Sequence, residues 1–301
     1  MPSNAKSGTL WSRDFLISGQ RNVKTSSIIL DTESFDRLVG ADIVQLIFEE
    51  APTKVKTRVG KSLDHYIKAM RLTGIDEEMG AIRLIAAEEE LVVAIFELLK
   101  INSAHLPEHE DFVKKFRDHQ VKLFFYPVLS QLRYVLEDLH GGGIALPGLG
   151  EHLQWGVKAA YVDGRVVFQI MDANGKALMN VNPLDIAITL EDDMGEKVLL
   201  ELIADLRRRV SEQYNLSLRD FIRERADYRN KLLYASDGGS MSMGETLEEL
   251  LEKVFRHALR DLLWCLAVLL TNKPTASSWG LVSQFISLYR MVLQDARLLK
   301  P

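Results

Sequence analysis

The side chains in this chain best suited to chemistry are two glutamates standing where a buried helix would carry leucines. Between Met79 and Leu99, at about 100° per residue, Ile82, Ile85, Ala86, Val92, Val93, Phe96 and Leu99 share one side of a helix. Glu89 falls in the middle of that side, and Glu88 in the adjoining sector with Leu84, Val92 and Ile95; Glu90 alone points to a polar stripe. A buried carboxylate costs several kcal/mol unless it is paired or protonated, so the chain must supply donors for this pair. The same arithmetic finds them on two other helices. After Ser217, Leu218, Phe221, Ile222 and Leu232 make an apolar face with Arg225 and Arg229 inside it. After Glu110, Phe112, Phe116, Leu123 and Tyr126 make a face with His119 at its centre and Lys115 and Lys122 at its flanks. Two carboxylates, one imidazole and two guanidiniums are therefore expected to converge through charge-assisted hydrogen bonds. Such a cluster is either a functional site or a polar network that fixes helix register and does no chemistry.

The stretch from Arg225 through Arg229, Asn230 and Tyr234 to Ser236 resembles the Arg-Asn-x-x-x-His segment of HEPN domains. Ala86 to Glu90, followed by Phe112 to Lys122 with His119 and Lys122, is similar to the AbiV-type abortive-infection branch of that superfamily, with its paired-glutamate helix and its Phe…His-x-x-Lys helix. The resemblance covers roughly 76–122 and 218–270 and implies a helical bundle, an RNA substrate, metal-independent cleavage, a role in phage defence or toxicity, and a composite site across a homodimer. It implies Arg229 as the phosphate-holding residue, Asn230 as its orienting neighbour and Tyr234 in the position of the family's histidine. Glu88, Glu89, Arg225, His119 and Lys122 would support them from behind. Tyr234 is the departure: a phenol with an ordinary pKa near 10 is a poor base at neutral pH, which leaves hydrogen-bond donation to phosphate, action as a base with a pKa lowered by Arg229, or loss of cleavage with binding retained.

Composition narrows the classes. The chain has 301 residues, 47% of them apolar, enough for a sizeable core. A formal net charge of -5 argues against non-specific coating of nucleic acid. The basic clusters Lys54, Lys56, Arg58 and Lys61, Lys114, Lys115 and Arg117, and Arg207 to Arg209 read first as solvated helix faces. One cysteine, Cys265, allows no disulfide within the chain and reads as a small buried hydrophobe. His257 and Asp261 are spaced as an ordinary i, i+4 contact. No metal-ligand motif is present, and no cofactor is implied: Gly141 to Gly143 follow a helix, whereas a phosphate-binding glycine loop follows a strand. The amino terminus lacks the apolar core of a signal peptide, and apolar runs fall short of the roughly 18 residues of a spanning helix, so a cytoplasmic protein without membrane contact is expected.

The elements that must position these groups follow from periodicity and punctuation. Short strands are expected at 9–17 and 24–30, and helices at 34–50, 54–72 and 76–101. A long helix over 110–139, kinked at Pro127, ends at the glycines after His140. Three strand-like runs, 157–162, 165–171 and 176–181, joined by Asp163-Gly164 and by Ala173 to Gly175, predict a β-meander. Helices return at 196–214, from Ser217 to 235, at 246–270 and at 277–299, with a flexible loop over 236–244. The expected architecture is mostly α, an HEPN-like helical bundle with an inserted small antiparallel β-meander. Its parts are an N-terminal region (1–52), a first helical half (53–140), the meander (141–194) and a second helical half (195–301). Two functions fit: an RNA-binding, phage-defence or toxin-type protein with possible metal-independent ribonuclease activity, or a catalytically inactive interaction or regulatory module that meets a protein partner and holds a buried Glu–Arg network.

Overall fold

The computed structural model describes residues 33–113, 119–132, 156–172, 174–185, 196–233, 243–272 and 280–299. The fold is mostly α with one small antiparallel sheet, as the sequence pattern predicts. In chain order the helices are α1 (Glu33–Val39), α2 (Ala41–Glu50), α3 (Thr53–Leu72), α4 (Glu77–Ile101), α5 (Glu110–Val113), α6 (His119–Leu123) and α7 (125–132). After the sheet come α8 (Glu196–Tyr214), α9 (Leu218–Leu233), α10 (Leu247–Leu250), a π-helical turn (Leu251–Phe255), α11 (Arg256–Thr271) and α12 (Gly280–Asp295). The N-terminal strands expected at 9–17 and 24–30 lie outside the described residues.

Helix α4 is the axis of the bundle. It packs against α3, α11, α9 and α6, and it is buried around nearly its whole circumference instead of on one side. Its start is well determined: Asp76 caps it by accepting from Met79 N at 3.0 Å. Glu77 then accepts from Gly74 N with one oxygen and from Leu247 N with the other, joining the start of α4 to the start of α10. Thr246 and Glu249 close a reciprocal capping box at α10. Phe96, Phe112, Phe125, Phe285 and Tyr289 meet in the core beside α4, mostly edge to face, with Phe285 and Tyr289 stacked.

Two of the expected helices are broken, each for an identifiable reason. The helix expected over 34–50 is two, because Gly40 adopts φ 92°, a conformation that ends α1 and admits few residues besides glycine. In the long helix expected to kink at Pro127, the break falls at Phe124, and Pro127 lies in the first turn of α7, where a missing N–H is tolerated.

The meander is β1 (Gly156–Val162), β2 (Arg165–Met171) and β3 (Ala177–Val181), in that order across the sheet. Asp163 (φ 49°) and Gly164 (φ 76°) form the first turn with left-handed backbone at both positions, the geometry a two-residue hairpin requires. At the second turn Asp172 Oδ1 accepts from Asn174 N and Lys176 N, with Gly175 at φ 77°. Continuing the β2–β3 register from Phe168 opposite Val181 would set Pro183 opposite Val166. Proline cannot donate to a ladder, and the chain turns there into a 3-10 turn (Pro183–Asp185). Val166 finds its partners on α11 instead: its N–H donates to Thr271 Oγ1 at 3.1 Å, and its carbonyl accepts from Asn272 Nδ2 at 3.1 Å. Val166 is fully buried by this contact. Replacing Asn272 with alanine leaves that buried carbonyl without its donor. The expected result is a loss of about 1–3 kcal/mol in urea unfolding, together with faster amide exchange in β2 than in α4.

Candidate functional site

Helices α4 and α9 bring Glu88 and Arg225 together. Glu88 is 0% exposed and Arg225 5% exposed, and Arg225 Nη2 donates to Glu88 Oε1 at 2.5 Å. The third member of the contact is a backbone carbonyl: Arg225 Nε donates to Leu123 O, also at 2.5 Å. In an uninterrupted helix the Leu123 carbonyl would accept from the N–H four residues on, and that residue is Pro127, which has none. The break between α6 and α7 thus frees an acceptor, and Arg225 takes it. Tyr289, fully buried, donates its hydroxyl to Val121 O in the same way.

Burial pushes the Glu88 carboxyl above its ordinary range. The guanidinium of Arg225 opposes that rise, and Glu89 beside it adds to it. The second oxygen, Oε2, is buried with no hydrogen-bond partner among the described residues. Glu89 is also buried, in agreement with the helical arithmetic, and Glu90 lies on the outer stripe, where Arg58 holds it at 2.9 Å.

The remaining candidates do not all join this contact. Arg229, one turn beyond Arg225, is half-buried, and its Nε is buried with no hydrogen-bond partner among the described residues. Asn230 is exposed and Lys122 half-buried. His119 opens α6, but its side chain is not among those described, and Tyr234 lies outside the described residues. The tyrosine of α9 that is described, Tyr228, was not singled out by sequence. Its phenol is pushed up to about 12, by burial first and then by Glu245 and Glu78, so it cannot serve as a base at neutral pH. Its spacing of three residues from Arg225 was the available signal.

A second polar contact missed by sequence is His109, buried on a 3-10 turn (Pro107–His109), whose Nε2 lies 3.0 Å from Ser283 Oγ on α12. The pair has the distance of a nucleophile and its base, but Arg290 Nη1 sits 3.3 Å from His109 Nδ1. Guanidinium groups only donate, so Nδ1 must accept and Nε2 must carry the proton. That tautomer donates to Ser283 and cannot deprotonate it. Burial and Arg290 both hold the imidazole below its ordinary pKa, so the contact docks the turn on α12.

The basic clusters behave as solvated faces where they are described: Lys56 caps the Glu49 carbonyl, Lys61 pairs Asp64, Arg207 pairs Asp295 and Arg208 pairs Asp205. Lys114, Lys115 and Arg117 lie outside the described residues. Cys265, expected as a buried hydrophobe, is half-buried against the core, and desolvation raises its thiol to about 12. Among the described residues no group of three or more His, Cys, Asp or Glu is placed to hold a metal ion, and no helix is long and apolar enough to cross a membrane. No family model, curated protein or solved structure matches this chain.

Two measurements test the electrostatics. Arg225→Ala leaves Glu88 as an uncompensated buried charge and is expected to lower unfolding free energy by about 3–5 kcal/mol. A carboxyl whose folded pKa is raised binds its proton more tightly in the native state. Its contribution to stability is therefore full below the ordinary value and lost as pH rises through the folded one. Unfolding free energy measured in denaturant from pH 4 upward should fall more steeply for the wild type than for Glu88→Gln, which lacks that proton.

Proposed function

We propose that this protein is an RNA-directed defence or toxin-type protein of the HEPN kind, with Arg229 as its phosphate-holding residue and Asn230 beside it. The observation that carries the reading is the state of Arg229 next to that of Arg225. Both lie on one helix, one turn apart. Arg225 is buried and committed to Glu88 and Leu123. Arg229 is half-buried, with an Nε that has no hydrogen-bond partner among the described residues, and it adjoins an exposed asparagine. A guanidinium held by its helix and still owning donors is suited to a phosphodiester oxygen. In this reading Glu88 positions α9 through Arg225, and the RNA site begins where that network ends. Tyr234 would donate to the phosphate or leaving oxygen, and a second copy of the chain would complete the site, as the resemblance implies.

One observation favours the second function, a non-catalytic regulatory module with a protein partner. The edge strand β3 is exposed along most of its length and carries Leu178 and Met179, 46% and 42% exposed, at the rim of the sheet. The two readings diverge in one experiment. Purified full-length protein is incubated with defined single-stranded and structured RNAs, with and without a divalent-metal chelator. The first reading expects chelator-resistant cleavage that falls on the order of hundredfold in Arg229→Ala, while the melting temperature holds. Cleavage unchanged in that variant removes Arg229 from the site, and the absence of both cleavage and RNA binding leaves the regulatory reading.

A further inference from the structure

A cleft opens between α7, α8, α9 and the π-helical turn, on the side of the bundle where Arg225 emerges. Among the described residues, three cationic side chains line it, Arg209 from α8, Arg225 from α9 and Lys253 from the π turn, and no carboxylate does. Arg225 is held by Glu88 and Leu123 O, and Lys253 by Glu245 at 3.0 Å. Gln131 also lines the cleft. It is 2% exposed, and its Nε2 is buried with no hydrogen-bond partner among the described residues. Buried side-chain amides nearly always find a partner, so a donor left over at the edge of a cationic cleft marks the place of an absent acceptor. The remaining wall is apolar and partly aromatic, with Tyr126, Phe221 and Val254 among its members. The π turn supplies Lys253 and Val254, and single π turns inside α-helices recur at binding sites because they present side chains that a regular helix would turn away.

We infer that this cleft binds a small organic anion, one carboxylate or phosphate group on a compact apolar body. The anionic group would accept from Gln131 Nε2 and share the positive charge of Arg209, Arg225 and Lys253, while the body would lie against the aromatic wall. Concave sites of this kind, mostly apolar with a few convergent polar groups, are the usual form of a small-molecule pocket. Because Arg225 is shared between the cleft and the Glu88 contact, occupancy would act on the same helix that carries Arg229. The inference does not depend on the RNA reading, since its measurement involves no RNA.

The test is calorimetric titration of the full chain with benzoate and with phenyl phosphate, beside inorganic phosphate and benzyl alcohol as the head group and the body alone. Binding of benzoate or phenyl phosphate is expected, at least fivefold tighter than either fragment, and which of the two binds names the head group. Gln131→Met keeps the length of the side chain and removes the amide; Arg209→Gln removes a charge from a half-buried surface position and serves if the first variant unfolds. Each variant that retains its melting transition is expected to weaken binding at least fivefold. No heat from either aromatic anion at millimolar concentration, affinity no better than that of the fragments, or wild-type affinity in a folded variant overturns the inference.

Discussion

The contact on which the helical core depends is a single guanidinium shared between a carboxylate and a carbonyl. Arg225 reaches from α9 to Glu88 on the central helix and to Leu123 at the end of α6, so three helices meet at one side chain. Removing two charges from water is expensive, and a buried ion pair can fail to recover that expense compared with well-packed apolar residues. The feature that favours its retention is specificity. A leucine pair at the same positions could slide by a turn, whereas the planar fork of arginine accepts one position of Glu88 and one carbonyl. That carbonyl is available because Pro127 withholds the hydrogen that would have claimed it. A residue poorly suited to helix interiors thus creates the acceptor that locks the neighbouring helix in register.

The network is also lopsided. Glu88 keeps one oxygen without a hydrogen bond among the described residues, and the adjacent Glu89 is buried with it. Burial pushes Glu88 toward its protonated form against the pull of Arg225, and the neighbouring Glu89 adds to that push. The core therefore holds proton-binding capacity that ordinary surface carboxylates lack, placed directly behind the helix that carries Arg229.

Much of this arrangement was legible before any coordinates. The position of Glu88 and Glu89 on an apolar helix demands a cation, Arg225 and Arg229 have comparable placement on their own helix, and Arg225 is the one that meets Glu88. The meander and its turns followed from alternation and from Asp163-Gly164. What remained hidden is physical in origin. Helical arithmetic assigns a face but not its depth, so Arg225 and Arg229 looked equivalent, although one is enclosed and the other only half so. The apolar pattern of α4 marks one buried side, while the bundle encloses the helix on nearly all sides and leaves Arg83, Glu90 and Glu97 half-buried. Pro127 reads in the sequence as a bend, and its consequence for the carbonyl four residues earlier depends on which side chain stands opposite. The partners of His109 are 174 and 181 residues away in sequence, beyond the reach of any local pattern.

The attachment of the sheet sets where this protein can change length. Val166 is held by Thr271 and Asn272 only two residues beyond the Asp163-Gly164 turn, so that hairpin end is riveted to the tip of α11. An added residue there would invert every side chain between the rivet and the turn. The opposite end, around Asp172 and Gly175, is tied by its own local hydrogen bonds and faces outward. Insertions accumulated by divergence should collect at the distal turn and spare the proximal one, giving the sheet one fixed root and one margin free to vary.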